Sequence, residues 1–223
     1  MSVIPVTLLV VAKAPEPGKA KTRLAASVGD RVAAEIAAAA LLDTLDAVAA
    51  TPVAARVVAL TGDLNAAAGA DDILRRLESF TVIAQRGNDF ADRLVNAHGD
   101  AGAVCEGHPV LQIGMDTPQV TDQLLASCAR RLLEAQAVLG PACDGGWWIL
   151  GLNKPATAQY LRSVPMSRPD TGELTAKALR NRGVDVTTVE TLADVDVVDD
   201  VAAVRNACDP AGRFARVTHA AGL

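Results

Sequence analysis

Lys13, Lys19, Lys21 and Arg23 put four cations into one short stretch, Val11-Ala-Lys-Ala-Pro-Glu-Pro-Gly-Lys-Ala-Lys-Thr-Arg-Leu24. Pro15 and Pro17 stiffen it, and Gly18 lets backbone approach a ligand closely. Cations and backbone N–H groups turned on one anion are the parts of a phosphate cradle. The other reading is an exposed basic loop with solvated lysines. A Walker loop is excluded, because Gly18-Lys19 is followed by Ala20 rather than Ser or Thr. A dinucleotide fingerprint is excluded by the single glycine.

Acidic residues supply the second set of candidates. Asp116 lies in Gly114-Met-Asp-Thr-Pro118, directly after the apolar run Pro109–Ile113. A carboxylate there suits a hard cation such as Mg²⁺, which takes one or two carboxylates and the substrate's phosphates. A turn or helix-capping aspartate is the alternative. Asp194 and Asp196 point the same way along an extended segment, so Asp196 is a candidate second ligand. Asp199 and Asp200 suit the start of the last helix. Asp144 precedes Gly145-Gly146, where main chain can come close to a ligand. It is placed to orient or deprotonate an acceptor hydroxyl, unless the Gly-Gly pair is only a turn between strands. Trp147 and Trp148 alternate, one for the core and one for a cleft wall. Gln85 and Gly87 suit a nucleobase edge or a polar strand end. Arg93, one turn into a helix, is a phosphate contact or a solvated charge. His98, His108 and His219 have no partner at metal-ligand spacing, and no Ser/His/Asp signature occurs.

The elements that must carry these residues follow from hydrophobic periodicity. Val3 to Val11 reads as a buried strand. Val32, Ile36, Leu41, Leu45 and Val48 give a helix from Asp30, a plausible N-cap, to Ala50, one face of it apolar. Val53–Leu60 is a second strand, and Asp63–Ser79 reads as helical with Gly69 weakening its middle. Further strands are expected at Thr81–Ala84, Pro109–Ile113, Ala137–Leu139, Trp147–Leu152 and Val184–Val189. Helices are expected after Asn88, from Thr121, around Ala156–Leu161 and Glu173–Asn181, and from Asp199 to Ala207. Strand and helix alternate along the first two thirds, which implies an α/β fold with a mostly parallel sheet covered on both faces. Ligands of such sheets sit beyond the C-terminal strand ends. The motifs at 11–24, 85–94, 114–118 and 140–146 all fall at such ends and converge on one cleft. Residues 1–208 read as a single domain. The tail from Asp209 to Leu223 lacks a pattern and is expected to be loosely held.

Composition narrows the classes. The chain has 223 residues, half of them hydrophobic, with 3% aromatics and a net charge of −5. Scarce aromatics argue against single-stranded nucleic-acid binding, and the negative charge against a general polyanion binder. Cys105, Cys128, Cys143 and Cys208 form no C-x-x-C pair, so buried free thiols and a cytoplasmic location are expected. The Val3–Val11 run is too short to span a membrane.

Ala12-Lys-Ala-Pro-Glu-Pro-Gly-Lys-Ala-Lys-Thr-Arg-Leu24, Gln85-Arg-Gly, Gly114-Met-Asp-Thr-Pro118 and Leu139-Gly-Pro-Ala-Cys-Asp-Gly-Gly146 together resemble a bacterial family of small glycosyltransferase-like proteins, filed as a domain of unknown function. That family is similar to the nucleotide-diphospho-sugar transferases of GT-A type, and more distantly to the guanylyltransferases of deazaflavin and molybdenum cofactor synthesis. The resemblance implies a three-layer, Rossmann-like GT-A fold and an enzyme. It implies a metal-dependent transferase taking a nucleotide-sugar and a small-molecule acceptor, or a nucleotidyltransferase joining an NTP to a phosphorylated acceptor, or a nucleotide-binding protein without catalysis. Nucleotide-binding candidates are then Lys13, Gly18, Lys21, Thr22, Arg23, Gln85 and Gly87. Asp116 and Asp196 are candidate ligands for Mg²⁺ or Mn²⁺, Asp144 with Asp116 the catalytic candidates, and Gly145, Gly146 and Trp147 the acceptor contacts. Two departures stand out: Asp116 is followed by Thr117-Pro118 rather than by the second Asp of Asp-x-Asp, and Phe90-Ala91-Asp92-Arg93 replaces Leu-Gly-Glu-Arg.

Overall fold

The computed structural model describes residues 2–104 and 107–223. Cys105 lies outside them. Seven strands form one sheet in the order β3-β2-β1-β4-β6-β5-β7. They are β1 Ile4–Lys13, β2 Val53–Thr61, β3 Thr81–Ala84, β4 Val110–Gly114, β5 Ala137–Pro141, β6 Trp147–Leu152 and β7 Val186–Thr188. β1, β2, β3 and β4 run parallel, and β7 runs parallel to β5. β6 is antiparallel to both of its neighbours, inserted between β4 and β5. The α/β class and the mostly parallel sheet expected from alternation are therefore found.

The inner strands read as near-continuous apolar runs because both of their faces are covered. On one face Leu8, Val10, Leu111 and Ile113 pack with Leu41, Leu45, Ile73 and Leu125. These helical residues belong to α2 (Asp30–Ala50), α3 (Ala70–Leu77) and α5 (Asp122–Glu134). On the other face Leu9, Val11, Val57 and Val110 pack with Leu94, Ala97 and Ala101 of α4 (Phe90–Val104). Beside them Leu139, Leu150 and Leu152 meet the 3₁₀ segment Pro155–Ser163 and α6 (Thr171–Arg180).

Three differences from the sequence expectation have local causes. Asp63–Ser79 is not one helix: a 3₁₀ turn, Leu64–Ala66, precedes α3, and Gly69 at φ 66° breaks them apart. The cationic loop ends early in a short helix, α1 (Thr22–Val28), and Gly29 rather than Asp30 is the N-cap of α2. The residues from Asp209 are not loosely held. α7 (Val198–Ala207) is followed by α8 (Arg213–Ala220), whose Phe214 is fully buried against α2 and α7. Asp43 of α2 accepts from the Arg213 and Phe214 backbone N–H groups at 3.1 and 2.8 Å and caps α8. This outer layer explains why α2 is alanine-rich and buried on two sides, not on one apolar face. Cys128 and Cys208 are buried free thiols, as expected, whereas Cys143 is exposed on the β5–β6 turn. No helix among the described residues is long and apolar enough to cross a membrane.

Candidate active site

A cleft of about 650 Å³ opens at the C-terminal ends of β1 and β4. Its lining draws on the cationic loop, the 114–117 turn, the β5–β6 hairpin, the start of α4, the 166–171 loop and the segment before α7. This is the edge where open α/β sheets hold ligands. The four motif stretches do converge here.

The cationic loop does not turn all its charges inward. Lys13, Lys21 and Arg23 line the cleft. Lys19 faces away and pairs at 2.6 Å with Glu16, whose other oxygen accepts from the Asp63 N–H at 3.1 Å. Glu16 is buried and ties the loop to the end of β2. Gly18 and Thr22 are exposed and outside the lining. Gly18 takes φ 75°, a conformation that glycine reaches without strain.

Lys21 is the focus of the site. Its ammonium donates to Asp116 Oδ2 at 2.6 Å and to the Val195 carbonyl. Burial pulls its pKa down, but Asp116 beside it, with Asp196 and Asp194, more than offsets this and holds the ammonium charged. Its backbone is left-handed, φ 48°. Ser167, at φ 59°, is the other non-glycine residue with positive φ among the described residues, and it too lines the cleft. Such strain of order 1–3 kcal/mol persists where surrounding structure enforces it and clusters at functional sites. Arg23 reaches across to Asp196. Asp194 lies in the same lining, its carboxyl raised to about 6 by burial and by the charges of Asp144 and Asp116. Asp200 accepts from the Asp196 and Val197 N–H groups, each at 2.9 Å, and so serves the start of α7.

Asp144 lies on the cleft lip and also accepts from the Gly146 N–H at 2.7 Å, so the turn role and a free carboxylate oxygen coexist. Gly146 and Trp147 line the cleft, but Gly145 does not. A Cβ on Gly145 would stand 1.8 Å from the Pro169 carbonyl oxygen, and one on Gly172 would stand 2.4 Å from Gly146 O. The glycines let two loops interlock, and the Gly172 N–H donates to Gly145 O at 2.8 Å. Trp148 is core, its indole N–H donating to Glu190 O at 2.9 Å. Gln85 lines the cleft, but both of its amide hydrogens are engaged by the Ala12 and Ala59 carbonyls at 2.7 and 2.9 Å. Only its oxygen is left to accept from a ligand. Gly87 is outside the lining; at φ 144° it permits close packing on Asp92 and Arg93 at the start of α4.

Sequence reasoning passed over Gln112, Asp194 as a site group, and the 166–171 loop. Gln112 is an interior polar residue in an apolar strand, a visible signal. Ser167-Arg-Pro-Asp170 carries turn residues at the entry to a helix, a weaker one.

Several solved structures share this fold. A protein assigned as a nucleotide-diphospho-sugar transferase, from Desulfovibrio desulfuricans G20, superposes with a TM-score of 0.83 at 24% identity, over 99% of this chain and 95% of that one. CMP:2-keto-3-deoxy-manno-octonic acid synthetase, complexed with CTP, gives 0.56 at 13% identity over 90% and 97%. Rv0371c from Mycobacterium tuberculosis H37Rv, in complex with manganese, gives 0.55 at 17% identity over 89% and 97%. No curated protein matches the chain at a significant level. Residues 44–168, more than half of the chain and including the segments around Gln85, Asp116 and Asp144, match the profile of an uncharacterized protein family conserved in bacteria, DUF2064, and the chain belongs to that family.

Proposed function

We propose that this protein is a metal-dependent transferase that takes a nucleotide-activated donor, a nucleotide-sugar, and passes its group to a small-molecule acceptor. The observation that carries the reading is the meeting of Lys21 with Asp116 and of Arg23 with Asp196 at one sheet edge. Cations suited to phosphate and carboxylates suited to a metal face each other there. The chain's likeness in fold to a structure complexed with CTP and another complexed with manganese supports it.

Among the described residues no three His, Cys, Asp or Glu side chains form a ready cage. The hard oxygen donors of Asp116, Asp194 and Asp196 nonetheless fit Mg²⁺ or Mn²⁺, which bind through few carboxylates with water and phosphate completing the shell. Burial first, then the charges of Asp144 and Asp116, lifts the Asp194 carboxyl that lies among these donors. Asp116 and Asp196 would hold the ion, and when bound it supplies positive charge to a leaving diphosphate. Lys13, Lys21 and Arg23 bind the phosphates, the latter two by exchanging carboxylate for phosphate oxygen. Asp144 orients the acceptor hydroxyl and takes its proton. Trp147 walls the acceptor side.

The test is nucleotide affinity with Mg²⁺, with Mn²⁺ and with chelator, in wild type and Asp116→Asn. Binding should need the cation in wild type and fall in the variant. Equal affinity in chelator, matched by Asp116→Asn throughout, overturns the metal role. One observation favours nucleotidyl transfer instead: Asp116 precedes Thr117-Pro118, not a second aspartate. Release of pyrophosphate from an NTP, against release of a nucleoside diphosphate from a sugar donor, separates the two.

A further inference from the structure

Among the described residues, the α4 side of the cleft holds hydrogen-bond donors with no acceptor. Arg93, in the first turn of α4, lines the cleft, and its Nε is buried and unpartnered. Its directed contact is the Phe90 ring, whose centroid is 5.7 Å from the guanidinium carbon. The indole Nε1 of Trp147, in the same lining, is likewise buried and unpartnered. Gln112 lies in the floor, its Oε1 2.9 Å from Nδ1 of the fully buried His98. A carboxamide oxygen only accepts, so His98 donates from Nδ1 and the amide NH₂ is what Gln112 has left for the cleft.

Neighbouring carboxylates do not answer these donors. Asp92 is taken by Arg162 at 3.3 Å, and Asp170 by Arg168 at 3.0 and 3.1 Å. Leu94 and Met166 make the rest of the corner apolar. Buried donors are ordinarily satisfied, and an arginine among apolar groups calls for an anion. We infer that the acceptor subsite takes an anionic group, a phosphate or a carboxylate on a largely apolar body, with Arg93 as its counter-ion and Trp147 Nε1 and Gln112 as its hydrogen-bond donors. The word acceptor rests on the transferase reading; the anion site itself does not.

Phenyl phosphate, benzoate and benzyl alcohol present one ring with two anions and a neutral control, and titrating each into the full-length protein by calorimetry tests the site. At least one anion should bind about tenfold tighter than benzyl alcohol. Arg93→Gln should erase that preference, Arg93→Lys restore part of it, and Trp147→Phe weaken the anion severalfold. Melting curves verify folding, and the latter two variants carry the test if Arg93→Gln does not fold. UDP affinity, measured alongside, should change less than about twofold in the Arg93 variants. Anions that bind no better than benzyl alcohol, or a preference intact in Arg93→Gln, overturn the proposal. So does an equal loss of UDP affinity, which would put Arg93 in the nucleotide site. UDP, GDP and CDP that all fail to bind wild type while the anions bind sink the transferase reading and leave the subsite standing.

Discussion

On the wall built from residues 13–23 and 193–196, each cation has a partner: Lys13 the Lys19 carbonyl, Lys21 Asp116, Arg23 Asp196. Across the cleft, where α4 and the β5–β6 hairpin stand, Arg93 and Trp147 keep buried donors unused. The first wall must exchange partners to take a ligand, and gives back in broken ion pairs part of what it gains. The second breaks no ion pair on binding and gives up only water and side-chain freedom. The contrast teaches that a large number of charges does not mark the readier site. The paired wall suits a ligand that brings both signs, phosphate with its cation, and the unpaired wall one that brings only acceptors.

If the second wall is held rigid by its interlocked loops, loosening them should be the most damaging change. Gly145→Ala forces a Cβ against the Pro169 carbonyl at φ 89° and should cost about 4 kcal/mol, read by urea unfolding. A loss below about 1 kcal/mol would mean that the loops part easily and the wall is not preformed.

The support beneath that wall is tested by pH. Burial lowers the pKa of His98 to about 4 from its usual 6.5. The unfolded chain therefore takes up this proton first as pH falls. His98 contributes stability that is complete above about 6.5 and lost as pH drops to about 4, up to about 3 kcal/mol in all. Asp194, raised to about 6 from its usual 3.8, tilts the curve the other way, losing stability as pH rises through that window. The difference between wild type and His98→Gln isolates the first slope, and parallel curves would deny it.

On the paired wall, Lys21→Ala should weaken nucleotide binding by about 2 kcal/mol through loss of a charged hydrogen bond, measured by calorimetry. An unchanged affinity in a folded variant would mean that Lys21 serves Asp116 alone. The smallest effect on binding belongs to Lys19→Ala. Its charge pairs with Glu16 and not with the cleft, so nucleotide affinity should move less than about twofold, while melting falls because the buried Glu16 loses its cation. A drop equal to that of Lys21→Ala would erase the distinction between inward and outward cations.

Much of this arrangement was legible in sequence for a physical reason. Val3–Val11 and Pro109–Ile113 are apolar runs apart from Thr7 and Gln112, so each strand end is announced by the residues that end the run, and those are the site motifs. What escaped depends on distant partners. α8 offers one large apolar residue, Phe214, and its cap, Asp43, lies far back in α2. The fate of Lys19 turns on Glu16, whose burial follows from the Asp63 N–H at the end of β2. Gly145 answers to its own turn at φ 89° and to Pro169, and the second is a contact that no local pattern encodes.

That last contact limits how the protein can change. With Gly145 against Pro169 and Gly172 against Gly146, the hairpin turn and the 166–171 loop fit only as a matched set. Grafting either one from a relative would meet the backbone of the other. On the proposed transferase reading, exchange of acceptor preference, in evolution or in the laboratory, is then a two-segment event. The cationic loop, on another part of the sheet edge, would be inherited through it untouched.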